Sequence, residues 1–144
     1  MSTDTEPTPD AVEASASTLS MLKGAHLRSV EFGIHHVTLG FDAPEGPGRA
    51  HFTMWVQPTV TVEGRVIPTS DERWAGALRD RITETVVRTN EAVGTGLRLE
   101  FTHGSVRVHP RAHFPEGTVV AELEGLTEHP RVWRSGAECF DDIH

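Results

Sequence analysis

Histidine is the residue type that first suggests chemistry in this chain, which holds nine of them. His35 and His36 are adjacent, and His109-x-x-x-His113 has the spacing that would join two metal ligands on a helix. Both patterns meet a physical obstacle. Neighbours on a strand point to opposite faces, so His35 and His36 cannot serve one site on a regular strand. Pro110 removes the helix that His109 and His113 would need. His51, His103 and His109 could meet only through tertiary structure. A metal-dependent or small-molecule enzyme using those three, with its site between a sheet and a covering helix, is the alternative reading.

The other reactive types are arranged less favourably. Glu122 and Glu124 share one face of a strand, a pattern that more often marks a solvated acidic face than an acid/base pair. Asp141-Asp142 lie near the C-terminal end. No Gly-x-Ser-x-Gly elbow is present, and Gly94-Thr95-Gly96 lacks the later glycines and the lysine of a phosphate loop. Cys139, the single cysteine, has Glu138 and Asp141 nearby, and their charge disfavours a thiolate nucleophile. One cysteine also excludes an internal disulfide and a multi-cysteine zinc site. No catalytic residue, metal ligand or cofactor is therefore assigned. Tryptophan is a better clue to binding. Trp74 is expected in the core, whereas Trp55 is out of phase with Phe52, Met54 and Val56, and Trp133 lies between Arg131 and Arg134.

These residues need elements to position them, and the chain supplies mainly strands. Val37, Leu39 and Phe41, then Phe52, Met54 and Val56, and later Leu97, Leu99 and Phe101 all alternate with polar residues. His103-Gly104 predicts a tight hairpin turn, pairing Phe101 with Val106, Leu99 with Val108 and Glu100 with Arg107. Glu63-Gly64-Arg65 predicts a second, shorter hairpin. Thr69-Ser70-Asp71-Glu72 reads as a capping box with Thr69 as N-cap, opening a helix that carries Trp74 and Leu78. Residues 81–90 read as helix by their i+4 stripe and as strand by Thr83, Thr85, Val86, Val87 and Thr89. A parallel between Leu22–Phe41 and Leu78–Phe101 favours the strand and a short helix. Thr118–Leu123 and Val132-Trp133 complete the strands. The expected fold is α+β: a mostly antiparallel sheet built from two similar β-hairpin halves, with one main helix packed on it.

Length and composition set the class. A chain of 144 residues suits one domain, expected over 19–144. Residues 1–18, with Val12 as their one large aliphatic, are expected to form a disordered leader. They hold Asp4, Glu6, Asp10 and Glu13 and no Lys or Arg, so −4 of the net charge of −8 is theirs and −4 belongs to the rest. An acidic balance argues against nucleic acid, whose phosphates demand a basic surface. No apolar run approaches the roughly 20 residues of a membrane-spanning helix, and no secretory signal is evident. Cytoplasmic residence is expected.

Leu22-x-Gly24 followed by Val37-x-Leu39-x-Phe41, then Leu97-x-Leu99-x-Phe101-x-x-Gly104-Ser105-Val106-Arg107-Val108-x-Pro110, resembles a family of small bacterial proteins similar to the immunity-type partners of secreted or contact-delivered toxins. The resemblance covers about residues 19–125 and implies a non-enzymatic protein with a protein partner. It carries over no catalytic residue. That family shows an acidic-aromatic signature after its second hairpin; here Val120-Ala121-Glu122-Leu123 has the acid without the tryptophan. The expected function is an immunity-like binding factor that holds a basic partner on an acidic surface, through Trp55, Trp133, Glu122 and Glu124. A self-associating module using Trp55 or Trp133 is a third reading.

Overall fold

The alternating segments all become strands. The computed structural model describes residues 18–44, 48–92, 95–109 and 115–135. Among these the strands are β1 (His26–Phe32), β2 (Val37–Asp42), β3 (Arg49–Met54), β4 (Thr59–Val62), β5 (Arg65–Ile67), β6 (Val86–Ala92), β7 (Gly96–Phe101), β8 (Gly104–Val108), β9 (Val119–Glu124) and β10 (Arg131–Arg134). One helix, α1 (Trp74–Arg79), and a 3-10 turn over Thr18–Leu22 accompany them. The strands form two five-stranded antiparallel sheets, ordered β1-β2-β3-β9-β10 and β5-β4-β8-β7-β6.

Period two explains why the sheets face each other. Leu39, Phe41, Phe52 and Met54 of the first sheet and Leu97, Leu99, Phe101 and Val106 of the second are buried in one apolar cluster. The Phe41 and Phe101 rings stack across the interface with centroids 6.3 Å apart. The sheets are also joined at one edge. Gly24 N–H donates to the Val86 carbonyl and Val86 N–H to that of Ala25, and Leu27 and Thr83 exchange similar bonds with their partners across the seam. At its other end β6 reaches β10, where Trp133 Nε1 donates to Glu91 at 2.7 Å. Since β1 and β10 are opposite edges of the first sheet, β6 crosses that sheet's full width. Five strands span about 19 Å and the five steps from Val86 to Glu91 about 17 Å, which fits an orthogonal packing of the layers.

Several expectations are corrected. There are two sheets rather than one; the first takes β1–β3 and β9–β10 from the two ends of the chain and the second takes β4–β8 from its middle, so neither sheet is built from one half alone. The helix is six residues long and packs on β4 and the end of β1, so it does not cover a sheet. Its N-cap is Arg73, with no side-chain cap bond; Asp71 instead accepts from Arg73 N–H at 2.8 Å. The central hairpin turns at Thr102-His103, pairing Leu99 with Val106, Leu97 with Val108 and Glu100 with Ser105. That shift preserves the inward set because it moves the register by an even step. Arg107 leaves Glu100 and donates from Nε to the Thr95 carbonyl at 3.0 Å. The β4–β5 hairpin forms at Glu63-Gly64, where φ values of 52° and 79° meet a two-residue turn that needs two positive φ angles. Of residues 81–90, read as strand from their β-branched cluster, only those from Val86 onward are strand, β6 running to Ala92; residues 81–83 are turn and Thr85 makes an isolated bridge with His26.

The two sheets share a topology. Raising the numbers of β1, β2 and β3 by five, and lowering those of β9 and β10 by five, turns the order of the first sheet into that of the second. Of the leader expected over residues 1–18, residues 1–17 lie outside the described residues and Thr18 opens the 3-10 turn; Gly94, Pro110, His113, Cys139, Asp141 and Asp142 also lie outside them. No helix among the described residues is long and apolar enough to cross a membrane.

Candidate functional site

Three of the four residues expected at an interface come together. On the outer face of the first sheet Thr53 pairs with Glu122 and His51 with Glu124, and Glu31 continues the first row through Thr38. Trp55 follows β3 on that face, 42% exposed, with its N–H donating to Val120 and its ring 4.8 Å from that of His36. Beside it the β1–β2 loop holds Ile34 at 88% exposure. Among the described residues, Glu31, Glu122 and Glu124 make no ion pair. This face combines uncompensated negative charge with an aromatic edge.

Trp133 does not belong to it. Its exposure is 0%, its ring meets Phe52 edge-on at 6.0 Å, and Arg131 lies over its other side. Its phase along β10 places it with Ala121 on the inner face, and its indole N–H goes to Glu91. It fills the core and cannot anchor a partner from there. Glu91 is the unforeseen member of that cluster: it sits opposite Leu97 on the inward side of β6 and also takes contacts from Arg131 and from Leu19 N–H.

A second region was not visible as a pattern. A cleft of about 510 Å³ opens where the β4–β5 and β7–β8 turns meet the segment after α1. Arg81 lines it with a side chain only 6% exposed. Its Nε donates to the Ala77 carbonyl at 3.2 Å and its Nη1 to Glu84 at 3.2 Å, while Glu84 also accepts from His103 N–H at 3.0 Å. Two local features hold this geometry. Thr83, between the partners, adopts φ 82°, a strained value for a β-branched residue, and its N–H is fixed by the Leu27 carbonyl. Gly104 leaves room for the guanidinium, since a Cβ there would stand 2.5 Å from Nη1 and 2.8 Å from the Thr61 carbonyl. Arg79-Asp80-Arg81 reads in sequence as a solvated charge run, which is why Arg81 escaped notice.

The matching place on the other sheet holds another cleft, of about 420 Å³. It lies between the segment before β1, the β2–β3 loop and the β9–β10 loop, and is lined by Ser20, Met21, Lys23, Ala43, Pro44 and Leu126.

The histidines do not gather. His51 is on the first sheet, and His103 and His109 bracket β8 on the second, so six steps of extended chain, about 20 Å, separate them. His109 Nε2 lies 2.8 Å from the Thr59 hydroxyl. Among the described residues no group of three His, Cys, Asp or Glu side chains could hold a metal ion. Comparison with protein-family models, with curated proteins and with solved structures gives no match.

Proposed function

We propose that this protein is a non-enzymatic binding factor, immunity-like in kind, that docks a basic partner protein on the outer face of its first sheet. The observation that supports this reading is the uncovered face that places Trp55 beside Glu31, Glu122 and Glu124, none ion-paired among the described residues. A half-exposed tryptophan supplies contact area at little entropic cost, and the carboxylates steer a cation-rich surface into register. The same reading takes β1–β5 and β6–β10 as similar halves that exchange their last two strands, for which the shared strand order speaks.

The product of the neighbouring gene is the partner to test, by calorimetry at about 50 and about 300 mM salt, across which screening of exposed charges changes strongly. Affinity should fall with salt, fall at least about tenfold in Trp55→Ala, and fall further when Glu31→Arg and Glu122→Arg are combined. Absence of binding, salt-independent binding, or tight binding by all variants would reject the reading.

A further inference from the structure

The Arg81 cleft holds an unmatched donor and an unmatched carboxylate. Arg81 uses Nε and Nη1 within the protein, and no hydrogen bond among the described residues is made by Nη2. Arg81 and Glu63 both line the cleft. Glu63 sits on the β4–β5 turn and makes no ion pair among the described residues. The other charges are engaged with one another: Arg81 with Glu84, which also lies 3.5 Å from His103 Nδ1, and both Arg88 and Arg98 with the single Glu100, at 3.8 and 3.6 Å. With Glu63 included, three arginines face three glutamates, so the surroundings offer no net field to a simple anion. Among the described residues, the matching cleft on the other sheet closes the same architectural corner without a buried ion pair. The fold therefore does not require one at this corner, and a buried pair is in any case a weak source of stability.

We infer that the Arg81 cleft binds a zwitterion, with its carboxylate on Arg81 Nη2 and its cationic group on Glu63. A free amino acid and a short peptide share this chemistry, and the separation of their charges distinguishes them. The site lies on the second sheet and does not rest on partner docking at the first.

The test follows the Arg81 Nε–Hε resonance and the His103 and Gly104 amides in ¹⁵N-labelled protein titrated with glycine, trialanine, sodium acetate and inorganic phosphate. Glycine or trialanine should shift these signals saturably in the millimolar range, about tenfold more tightly than acetate or phosphate. Whichever of the two saturates first identifies the charge separation the cleft accepts. Glu63→Gln, an exposed turn substitution, should abolish that advantage by weakening the zwitterion relative to acetate, whose own binding should tighten because one positive charge is left in excess. No saturable shift with either zwitterion, equal or tighter binding of acetate or phosphate, or an undiminished preference in Glu63→Gln would each overturn the proposal.

Discussion

The clefts lined by Arg81 and by Lys23 occupy corresponding corners of the two sheets, yet differ in what fills them. Each is bounded by the segment leading into an edge strand, by the turn after the next strand, and by a turn from the other half of the chain. Around Lys23 the walls are Met21, Ala43, Pro44 and Leu126; around Arg81 they carry a buried guanidinium, its carboxylate and a strained backbone. Among the described residues the first corner thus closes without a buried ion pair, and the pair at the second corner is a choice of side chains rather than a demand of the fold.

The largest test of that contrast concerns the core that both sheets share. Leu39→Ala and Leu99→Ala, in corresponding strands, should each destabilise by about 2–5 kcal/mol in urea unfolding. Leu99→Asp should leave no folded protein by circular dichroism, because it buries an unpaired charge. If Leu39→Ala were nearly neutral while Leu99→Ala was severe, the sheets would not form one cooperative core.

The Arg81 corner comes next. Arg81→Met alone strands Glu84 in a site where it is 12% exposed and should cost about 3–5 kcal/mol. Adding Glu84→Gln keeps an acceptor for His103 N–H and removes the stranded charge, so the double variant should return to within about 1 kcal/mol of wild type. Failure of that recovery would show that the pair is structural, and the contrast between the corners would lose its meaning. A milder effect is expected at the crossing of the layers, where Trp133→Phe removes the indole donor from Glu91 and should cost about 1–3 kcal/mol.

The smallest effect separates the two helical segments that precede β1 and β6. The Arg73 guanidinium and N–H beside Asp71 hold its carboxyl down at about 2, below its ordinary 3.8. A depressed acid contributes stability above its unfolded value and loses it as pH falls. The acid limb of a stability–pH curve should therefore flatten slightly between about pH 4 and pH 2 in Asp71→Asn, by an amount limited by solvent screening of this surface pair. The 3-10 turn at Thr18–Leu22 has no acid in its first turn and offers no counterpart.

Strand identity was legible because alternation and β-branching are local properties, as in Leu97–Phe101 and Val86–Ala92. The short hairpin was legible through Gly64, whose φ only a turn of that kind demands. The turn at Thr102-His103 was misplaced by one residue, because neither position uses the positive φ that His103-Gly104 had seemed to offer; Gly104 instead makes space for Arg81. Phase alone turned Trp55 away from the core side of β3 and set Glu122 and Glu124 on one face of β9, whereas their sharing one surface needed the β3–β9 pairing, and Trp133 needed knowledge of which side of β10 met the core.

Glu31 and Glu91 mark where local information stops. The two strands begin corresponding hairpins: Leu27 of β1 lies opposite Phe41, Val86 of β6 lies opposite Phe101, and the register slips after each of them. Later residues therefore keep the same phase in both strands, so the counterpart of Glu31 is the exposed Asn90, and Glu91 lies one step further on. Glu31 faces solvent, and Glu91 turns inward to meet Trp133. Periodicity written in the chain decides that these segments are strands with one oily side. That Glu91 can be buried depends on the crossing of two layers, since its partners come from β10 and the Thr18–Leu22 turn, far away along the chain.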